Sequence, residues 1–370
     1  MNRIEFGDCR DTMRKWKADG IKVQTCVTSP PYYGLRAYLP DTVKLADISE
    51  EDKKIVFSEL TESNFYNKND IPDHLSHYFV PAEIGLEQTP EEYIQNMVEV
   101  FRCVWDILED NGTLWVNIGD SYYNYRPGKG QALVKQSSAK TNQDLPQECA
   151  RRGNKLEGLK EKDLIGIPWL LAFALRNDGW TLRQDIIWSK AGGQPESVKD
   201  RCTKSHEYIF LLTKQPKYYY NHEAIKEPSI YFGKDKRSGK GNIRYDGKRT
   251  DENESGAQQS FVTINETKNK RSVWTVAPKP YSGAHFATFP PELIEPCILA
   301  GSKEGDIVLD PFMGSGTTAS VAVLHNRQYL GCELNEAYND LQIERIQSSV
   351  EVVETRNKNN NLFSDLFSEL

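Results

Sequence analysis

The sequence predicts an α/β fold, with a mainly parallel sheet and helices on both of its faces. Three observations predict it. Short apolar segments at 23–27, 114–118 and 306–309 have the length and composition of buried strands. Segments with apolar residues at helical spacing alternate with them along the chain. The segment at 306–309 also runs through a glycine-bearing loop into a run of small residues, which is typical of a strand followed by a helix.

The first predicted strand covers residues 3–6 and leads through Gly7 to Asp8, before a helical stretch that stops near Gly20. In an α/β sheet, an acid at the carboxyl end of a strand faces the crevice where ligands bind. Asp8 is therefore a candidate for a contact with an adenine or a ribose. A strand-end aspartate is also a common helix cap, so both interpretations stay open.

A helix is predicted clearly at Thr89. This residue can cap the helix, Pro90 takes the first helical position, and Glu92 completes a capping box. Apolar residues at helical spacing follow, and Gly112 is expected to end the helix.

The later elements continue the alternation. We expect a helix ending at residue 177, strands at 180–188, 207–213 and 272–276, a helix at 291–300 and a strand at 329–333. Two stretches depart from this pattern. Residues 37–82 are polar and poorly periodic, which predicts an insertion or a mobile loop. Residues 120–160, rich in Gly, Lys, Gln and Asn, predict a second long loop.

The composition is that of a soluble globular protein, with 38% hydrophobic and 27% charged residues among 370. No apolar run approaches the roughly 18 residues of a membrane span, and the N-terminus lacks a signal-peptide core. The sequence therefore predicts a cytoplasmic protein. The seven cysteines include no CxxC pair, which favours reduced thiols over a disulfide framework and predicts no metal site.

The net charge of −7 argues against binding nucleic acid through overall electrostatics, because phosphate neutralisation requires Lys and Arg. The charge is unevenly distributed, however. Residues 226–249 contain eight basic side chains against three acidic ones, within a polar stretch at 221–271. Such a run is either a solvated loop or a DNA contact. The candidates for a DNA contact here are Lys236, Arg237, Arg244, Lys248 and Arg249.

A rigid loop follows the strand at 23–27. It consists of Thr28, Ser29, Pro30, Pro31 and Tyr32. Two consecutive prolines remove two backbone donors and fix two φ angles, so carbonyl oxygens are left with no helix or sheet to satisfy them. Acceptors beside an aromatic ring suit a flat group that carries an NH2, such as a nucleobase. The alternative is an ordinary turn.

A second loop begins at Asp310 and contains Gly314 and Gly316. Glycines permit a tight turn and close approach of the backbone to a ligand, and a helix N-terminus offers free N–H groups to a carboxylate or phosphate. A P-loop is excluded because no lysine follows the second glycine. Glu333 ends the next strand, about 20 residues beyond the loop, where an acid can accept both ribose hydroxyls of a nucleoside.

Together the two loops resemble those of the DNA amino-methyltransferases, which transfer a methyl group from S-adenosylmethionine to an exocyclic nitrogen. The motifs are TSPPY at 28–32 and DPFMGSGTT at 310–318, and their order is similar to that of the circularly permuted beta class. The resemblance implies a Rossmann-like S-adenosylmethionine-dependent methyltransferase fold with double-stranded DNA as the partner. Further matching stretches lie at 7–9, 195–201, 204–207, 272–274, 285–290 and 331–335.

The resemblance also implies which residues bind the cofactor. Glu333 would bind its ribose and Asp8 its adenine end. The residues implied for the methionine part are Asp310, Phe312, Gly314, Ser315 and Gly316. The remaining candidates for this pocket are Thr28, His285, Phe286 and Thr317.

On the target side, the resemblance implies that Ser29 and the Pro30 carbonyl hold the NH2 while Tyr32 stacks on the flipped base, with Pro31 completing the motif. An aromatic amine is a poor nucleophile because its lone pair is delocalised into the ring. Acceptors that pull its hydrogens out of the ring plane rehybridise the nitrogen without a covalent intermediate. The stacking must offset the free energy of extruding the base.

Ser29 favours cytosine N4 as the target atom. Cytosine-N4 members of the family usually carry Ser before the two prolines and adenine-N6 members usually carry Asp, so adenine N6 is the alternative. A DNA-binding module without turnover is a hypothesis of another class, against which the intact motif residues argue. Cytosine-C5 methylation would need a catalytic cysteine after a proline, but Cys297 lies in an apolar helical pattern and is expected in the core.

The resemblance divides the chain into a target-amine part of the catalytic domain at 1–220, an inserted target-recognition region at 221–271, a cofactor-binding part at 272–345 and a C-terminal tail at 346–370. Lys199 and Arg201 are candidates for DNA phosphate contacts or for a structural ion pair. A bacterial or phage source and a restriction endonuclease partner are implied. Homodimer formation stays open.

Overall fold

The computed structural model describes residues 1–34, 39, 41–46, 48–123, 156, 158–192, 196–229, 266–279 and 289–368. The strands in these residues are β1 (Arg3–Phe6), β2 (Val23–Thr28), β3 (Thr42–Leu45), β4 (Tyr66–Asn67), β5 (Phe79–Pro81), β6 (Leu108–Ile118), β7 (Thr181–Lys190), β8 (His206–Thr213), β9 (Glu227–Pro228), β10 (Thr267–Lys268), β11 (Val273–Val276), β12 (Ile307–Asp310) and β13 (Gln328–Glu333). The α-helices are α1 (Cys9–Ala18), α2 (Glu50–Glu59), α3 (Pro90–Ile107), α4 (Ile167–Asn177), α5 (Pro291–Gly301), α6 (Thr317–Leu324) and α7 (Asn339–Ser368).

Eight of these strands form one sheet, in the order β1-β13-β12-β2-β6-β8-β7-β11. Five of its seven strand pairs are parallel, and only the pairs that β8 makes with β6 and β7 are antiparallel within the described chain. The prediction of a mainly parallel sheet is confirmed. Because β1, β13, β12, β2, β6, β7 and β11 all point the same way, their carboxyl ends lie along one edge of the sheet, together with the start of β8.

Helices cover both faces of the sheet. On one face α1 and α4 pack against α3, and on the other α5 and α7 pack against α6. The side chains of β6 show how two cores arise from one strand. Leu114 and Val116 belong to the first core, whereas Trp115 between them belongs to the second. This alternation is the period of two that a strand buried on both faces requires.

Helix α3 begins as the sequence predicts. The Thr89 hydroxyl accepts from the Glu92 amide at 3.2 Å, and the Glu92 carboxylate accepts from the Thr89 amide at 3.2 Å. The predicted end at Gly112 is wrong, because the helix stops at Ile107 and strand β6 starts at once. Gly112 lies inside that strand, where a Cβ would stand 2.8 Å from the carbonyl oxygen of Gln24. The glycine therefore permits close contact with β2 rather than capping a helix.

Of the two alternatives for residues 37–82, an insertion or a mobile loop, the loop is wrong for the described residues. This stretch holds α2 and a three-stranded antiparallel sheet in the order β4-β3-β5. Its strands are only two to four residues long, and α2 buries only Val56. Elements this short leave too little periodicity to be recognised. Of the second predicted loop, residues 124–155 and 157 lie outside the described residues.

Helix α7 runs without a break through the proposed C-terminal boundary at 345/346. The inner side of this helix is largely polar, as the buried Gln342 and Ser349 show. It therefore lacks the apolar stripe by which a docked helix is normally recognised.

Strands β9 and β10 lie within the proposed recognition region at 221–271, near its two ends. They pair antiparallel, with Glu227 opposite Lys268, so the two ends of the intervening segment are adjacent. The segment itself, 230–265, lies outside the described residues. No α-helix in the described part of the chain is both long and apolar enough to cross a membrane.

Candidate active site

A cavity of about 320 Å³ opens at the edge of the sheet where the carboxyl ends of the parallel strands meet. Both loops singled out in the sequence line it, although they are almost 300 residues apart in the chain. The predicted site residues in its wall are Asp8, Ser29, Pro30, Pro31, Tyr32, Phe312, Gly314, Ser315, Thr317 and Glu333. The structure therefore brings the target loop and the glycine loop together in one site.

Asp310 joins the two loops from beneath. One of its carboxylate oxygens accepts from the Thr28 hydroxyl at 2.6 Å and from the Phe312 amide at 3.0 Å. The other accepts from the Thr318 hydroxyl at 2.7 Å. Asp310 is 1% exposed, and burial raises its pKa to about 6 even though these hydrogen bonds lower it. Thr28 and Asp310 thus lie behind the cavity wall and hold it in place.

The glycine loop turns between β12 and α6. Gly314 and Gly316 have φ angles of 52° and 82°, which glycine adopts without strain. A Cβ on Gly316 would also stand 3.4 Å from the Cα of Gln342. The side chain of Gln342 in turn donates to the Gly314 carbonyl at 2.7 Å. Helix α7 therefore supports this loop directly.

Glu333 ends β13 and faces the cavity. Its two carboxylate oxygens accept from the backbone amides of Gly314, at 2.7 Å, and Asn335, at 2.9 Å. Burial raises the pKa of this carboxyl. Because each carboxylate oxygen has two lone pairs, the side chain is fixed by these bonds and still has acceptor capacity for ligand hydroxyls.

Asp8 is a helix cap that also lies in the cavity wall. It caps α1 by accepting from the Arg10 amide at 2.9 Å, and it also lines the cavity. Its carboxylate pairs with the Arg10 guanidinium at 2.5 Å and the Lys44 ammonium at 3.3 Å. Burial raises the pKa of Asp8, but the hydrogen bond and charge of Arg10, with the charge of Lys44, lower it to about 2. The small sheet thus contributes Lys44 to the site.

Polar side chains at the ends of β6 and β7 and at the start of β8 hold Tyr32 in place. Its hydroxyl donates to Glu207 at 2.7 Å and to Asn117 at 3.3 Å. Lys190 forms a close ion pair with the other oxygen of Glu207. A Cβ on Gly119 would lie 2.6 Å from the Tyr32 ring. Burial and the Glu207 charge raise the pKa of the Tyr32 hydroxyl well above its ordinary value, so the phenol stays protonated.

One of the two proline carbonyls accepts a hydrogen bond from within the protein, which the sequence does not predict. The Pro31 carbonyl accepts from the Tyr93 hydroxyl at 2.9 Å, so the expectation of unsatisfied acceptors is wrong at this position. The reason is tertiary, since Tyr93 reaches the loop from α3. Among the described residues, no group donates a hydrogen bond to the Pro30 carbonyl. Gly85 packs against the same loop: its φ is 103°, and a Cβ there would stand 3.2 Å from the Tyr32 carbonyl oxygen.

Some of the residues singled out in the sequence do not line the cavity. Arg201 donates to Glu196 at 2.6 Å and stacks over the Tyr122 ring at 4.0 Å, so it forms the structural ion pair. Lys199 is exposed. Cys297 is fully buried, as expected, and burial raises the pKa of its thiol. The predicted residues outside the described part of the chain are His285, Phe286, Lys236, Arg237, Arg244, Lys248 and Arg249.

Sequence reasoning missed the roles of Asn117, Lys190 and Glu207. All three stand at the same edge of the sheet, at the end of β6, the end of β7 and the start of β8. The signal that could have indicated them is a polar residue at the end of a buried strand. Among the described residues there is no group of three or more His, Cys, Asp or Glu side chains that could hold a metal ion.

Comparison with known proteins identifies the family. A family model described as DNA methylase, for N6 and N4 methyltransferases, matches residues 23–345. The chain belongs to this family. It is 40% identical to the Type II methyltransferase M.Cfr9I of Citrobacter freundii, over 92% of this chain and 86% of that protein. It is 39% identical to M.SmaI of Serratia marcescens, over 93% and 90% of the two chains.

A solved structure shows the same fold. The PvuII DNA methyltransferase, described as cytosine-N4-specific, aligns with a TM-score of 0.52 and 14% identity over 93% of this chain and 86% of that one. The fold thus agrees with the family model and the relatives, by which the chain is a DNA amino-methyltransferase of the N4/N6 family with S-adenosylmethionine as its cofactor. The cavity can accommodate that cofactor. Phe312 and Met313 offer an apolar wall, Glu333 offers carboxylate acceptors, and Ser315 and Thr317 offer hydroxyls where α6 begins.

The raised pKa of Asp310 predicts a pH dependence of stability. The folded chain keeps a proton on this carboxyl up to about pH 6, whereas the unfolded chain releases it near about pH 4, so stability falls as the pH rises between these values. In Asp310→Asn this titration is absent. We expect the decrease in the free energy of unfolding from about pH 4 to about pH 7 to be smaller by roughly 2 kcal/mol in the substituted chain.

Urea unfolding of the cofactor-free protein at the two pH values measures this difference. Asn can still accept from Thr28 and Phe312, which keeps most of the hydrogen bonds of the loop. An identical pH dependence in the two chains would contradict the raised pKa.

Proposed function

We propose that this methyltransferase modifies the exocyclic N4 of a cytosine in a specific sequence of duplex DNA, with the base flipped out of the helix. The observation that carries the proposal is the position of Ser29. It follows β2, precedes the two prolines and lines the same cavity as the glycine loop. In the family, serine at this position favours cytosine and aspartate favours adenine.

The target amine would be held by Ser29 and the Pro30 carbonyl. The Pro30 oxygen accepts no hydrogen bond from the described residues, so its lone pairs are available to an N–H of the base. Bound S-adenosylmethionine supplies the electrophilic methyl group. The contribution of the chain is to orient the amine, because fixed acceptors draw its hydrogens out of the ring plane and restore the nucleophilicity of the nitrogen.

Tyr32 would stack on the extruded base. Its ring is already fixed by the hydrogen bond to Glu207 and by close contact with Gly119, so little side-chain entropy remains to be lost on binding. Stacking of a base on an aromatic side chain contributes about 1–3 kcal/mol. That range is comparable with the few kcal/mol that extrusion of a base costs. Lys190 and Asn117 support this arrangement through Glu207.

On the cofactor side we propose the roles that the family motifs assign. Glu333 would accept from the ribose hydroxyls, and Asp8 would face the adenine end. The methionine part would lie along the glycine loop, at Phe312, Gly314, Ser315, Gly316 and Thr317, with Thr28 and Asp310 holding that loop from beneath. His285 and Phe286 are proposed to complete the pocket, next to Phe289, which lines the cavity.

DNA recognition is proposed to reside in the region at 221–271, inserted between the two parts of the catalytic domain at 1–220 and 272–345. Its basic residues would neutralise phosphates that the overall net charge of −7 would otherwise repel. Lys199, which is exposed, would add a phosphate contact. Because the relatives at 40% and 39% identity are named Type II methyltransferases, we propose that the enzyme protects DNA against a restriction endonuclease of the same system. A homodimer is compatible with this role.

The modified base identifies the reaction directly. Plasmid DNA from cells that express the protein should contain N4-methylcytosine, measured by mass spectrometry of its nucleosides, and DNA from cells that express the Gly316→Asp variant should not. An aspartate at this position would need a φ of 82°, which is unfavourable for it, and its side chain would extend from a Cβ already in contact with Gln342. N6-methyladenine in place of N4-methylcytosine would reject the proposed target and establish adenine N6.

Removing the Ser29 hydroxyl should separate catalysis from cofactor binding. In Ser29→Ala the amine loses one of its two acceptors, and we expect kcat to fall about 100-fold, as for the loss of one preorganised hydrogen-bond partner in other enzymes. The affinity for S-adenosylhomocysteine, measured by calorimetry, should stay within about twofold. Weaker cofactor binding at unchanged kcat would show that Ser29 has been assigned to the wrong ligand.

A further inference from the structure

Helix α7 places a cation behind the glycine loop. The half-buried Arg345 donates to the Ser315 hydroxyl at 2.8 Å and, through the same nitrogen, to the Thr317 hydroxyl in a short hydrogen bond. Ser315 and Thr317 both line the cavity, yet they are only 3% and 4% exposed. The guanidinium itself is not part of the cavity wall. Arg345 therefore reaches the cavity through two hydroxyl groups.

These contacts fix the direction in which the hydroxyls can donate. A guanidinium has donors only, so both hydroxyl oxygens act as acceptors toward Arg345. Each hydroxyl hydrogen must then point to another acceptor. Within the described residues, neither the Ser315 nor the Thr317 hydroxyl donates to a protein group. The two hydrogens are therefore available to an acceptor that enters the cavity.

The negative charges around the glycine loop explain why a cation is needed there for a carboxylate to bind. The carboxylates of Asp310 and Glu333 both accept hydrogen bonds from the loop, and they would repel a third carboxylate. Arg345 is positively charged at any physiological pH. The N-terminus of α6, which begins at Thr317, adds partial positive charge on the same side.

We propose that Arg345 is a positioning residue for the cofactor: it orients the hydroxyls of Ser315 and Thr317 as a pair of donors to the carboxylate of the methionine part. This inference rests on the proposed assignment of the glycine loop to that part of the cofactor. Arg345 acts through the two hydroxyls and does not touch the cofactor.

The position of Arg345 is fixed by the packing of α7. The Ser349 hydroxyl, one turn further along the helix, hydrogen-bonds to the Ser320 hydroxyl of α6 at 2.7 Å. Gln342, one turn earlier, donates to the Gly314 carbonyl. The helix also supplies a matched control. Arg356 is exposed and donates to the Leu324 carbonyl at 2.9 Å, at the far end of α6 from the loop.

Calorimetric binding of two ligands tests the proposal without turnover. S-adenosylhomocysteine carries the carboxylate, and 5′-methylthioadenosine lacks the whole amino-acid part. In Arg345→Met we expect the affinity for S-adenosylhomocysteine to fall about 10- to 100-fold, because two hydrogen bonds to a charged group lose their orientation. The affinity for 5′-methylthioadenosine should change less than about threefold, which also shows that the pocket is folded. Arg356→Met should change neither.

Equal losses for the two ligands, or no loss for S-adenosylhomocysteine, would overturn the positioning role alone. If the unsubstituted chain bound 5′-methylthioadenosine and S-adenosylhomocysteine equally, the assignment of the glycine loop to the methionine part would fail as well.

A double-mutant cycle gives a second test. When Ser315→Ala and Thr317→Val have removed both hydroxyls, Arg345→Met should weaken S-adenosylhomocysteine less than about threefold further. A full additional loss would mean that Arg345 acts without the hydroxyls, contrary to the proposal.

Discussion

A buried hydrogen bond joins the two halves of the site. Thr28, at the end of β2, donates at 2.6 Å to Asp310, at the end of β12, although the two residues are 282 positions apart. The same carboxylate accepts from Phe312 and Thr318. Asp310 is buried in a medium of low dielectric. Loss of any of these three donors would leave a carboxylate lone pair without a hydrogen bond, which costs free energy. The target loop and the cofactor loop therefore cannot move independently of each other.

The adjacency of β2 and β12 explains how this bond can form. Neighbouring parallel strands deliver their carboxyl ends to the same edge of a sheet, whatever their separation in the chain. Seven strands end at this edge and β8 begins there, which also places Lys190 and Glu207 beside the target loop. The order of the motifs along the chain is consequently unimportant to the site. This is the physical basis on which a permuted sequence keeps the same active-site geometry.

The features that the sequence predicted correctly are those with local causes. The capping box at Thr89 needs only residues three positions apart, and the two loops are recognisable from proline and glycine chemistry alone. The features it missed depend on distant partners. Gly112 allows β2 to approach, Tyr93 satisfies the Pro31 carbonyl from α3, and Arg345 orients two loop hydroxyls from a helix without an apolar stripe. None of these contacts leaves a periodic or local signal.

We propose that one cavity aligns a cofactor held by the glycine loop with an amine held at Ser29 and Pro30. A crystal structure with bound S-adenosylhomocysteine tests it most directly. We expect the amino-acid part to lie against Ser315 and Thr317, the ribose against Glu333, and the sulfur to face the Pro30 carbonyl. A ligand bound in the reverse direction, with its sulfur turned away from the target loop, would contradict the account.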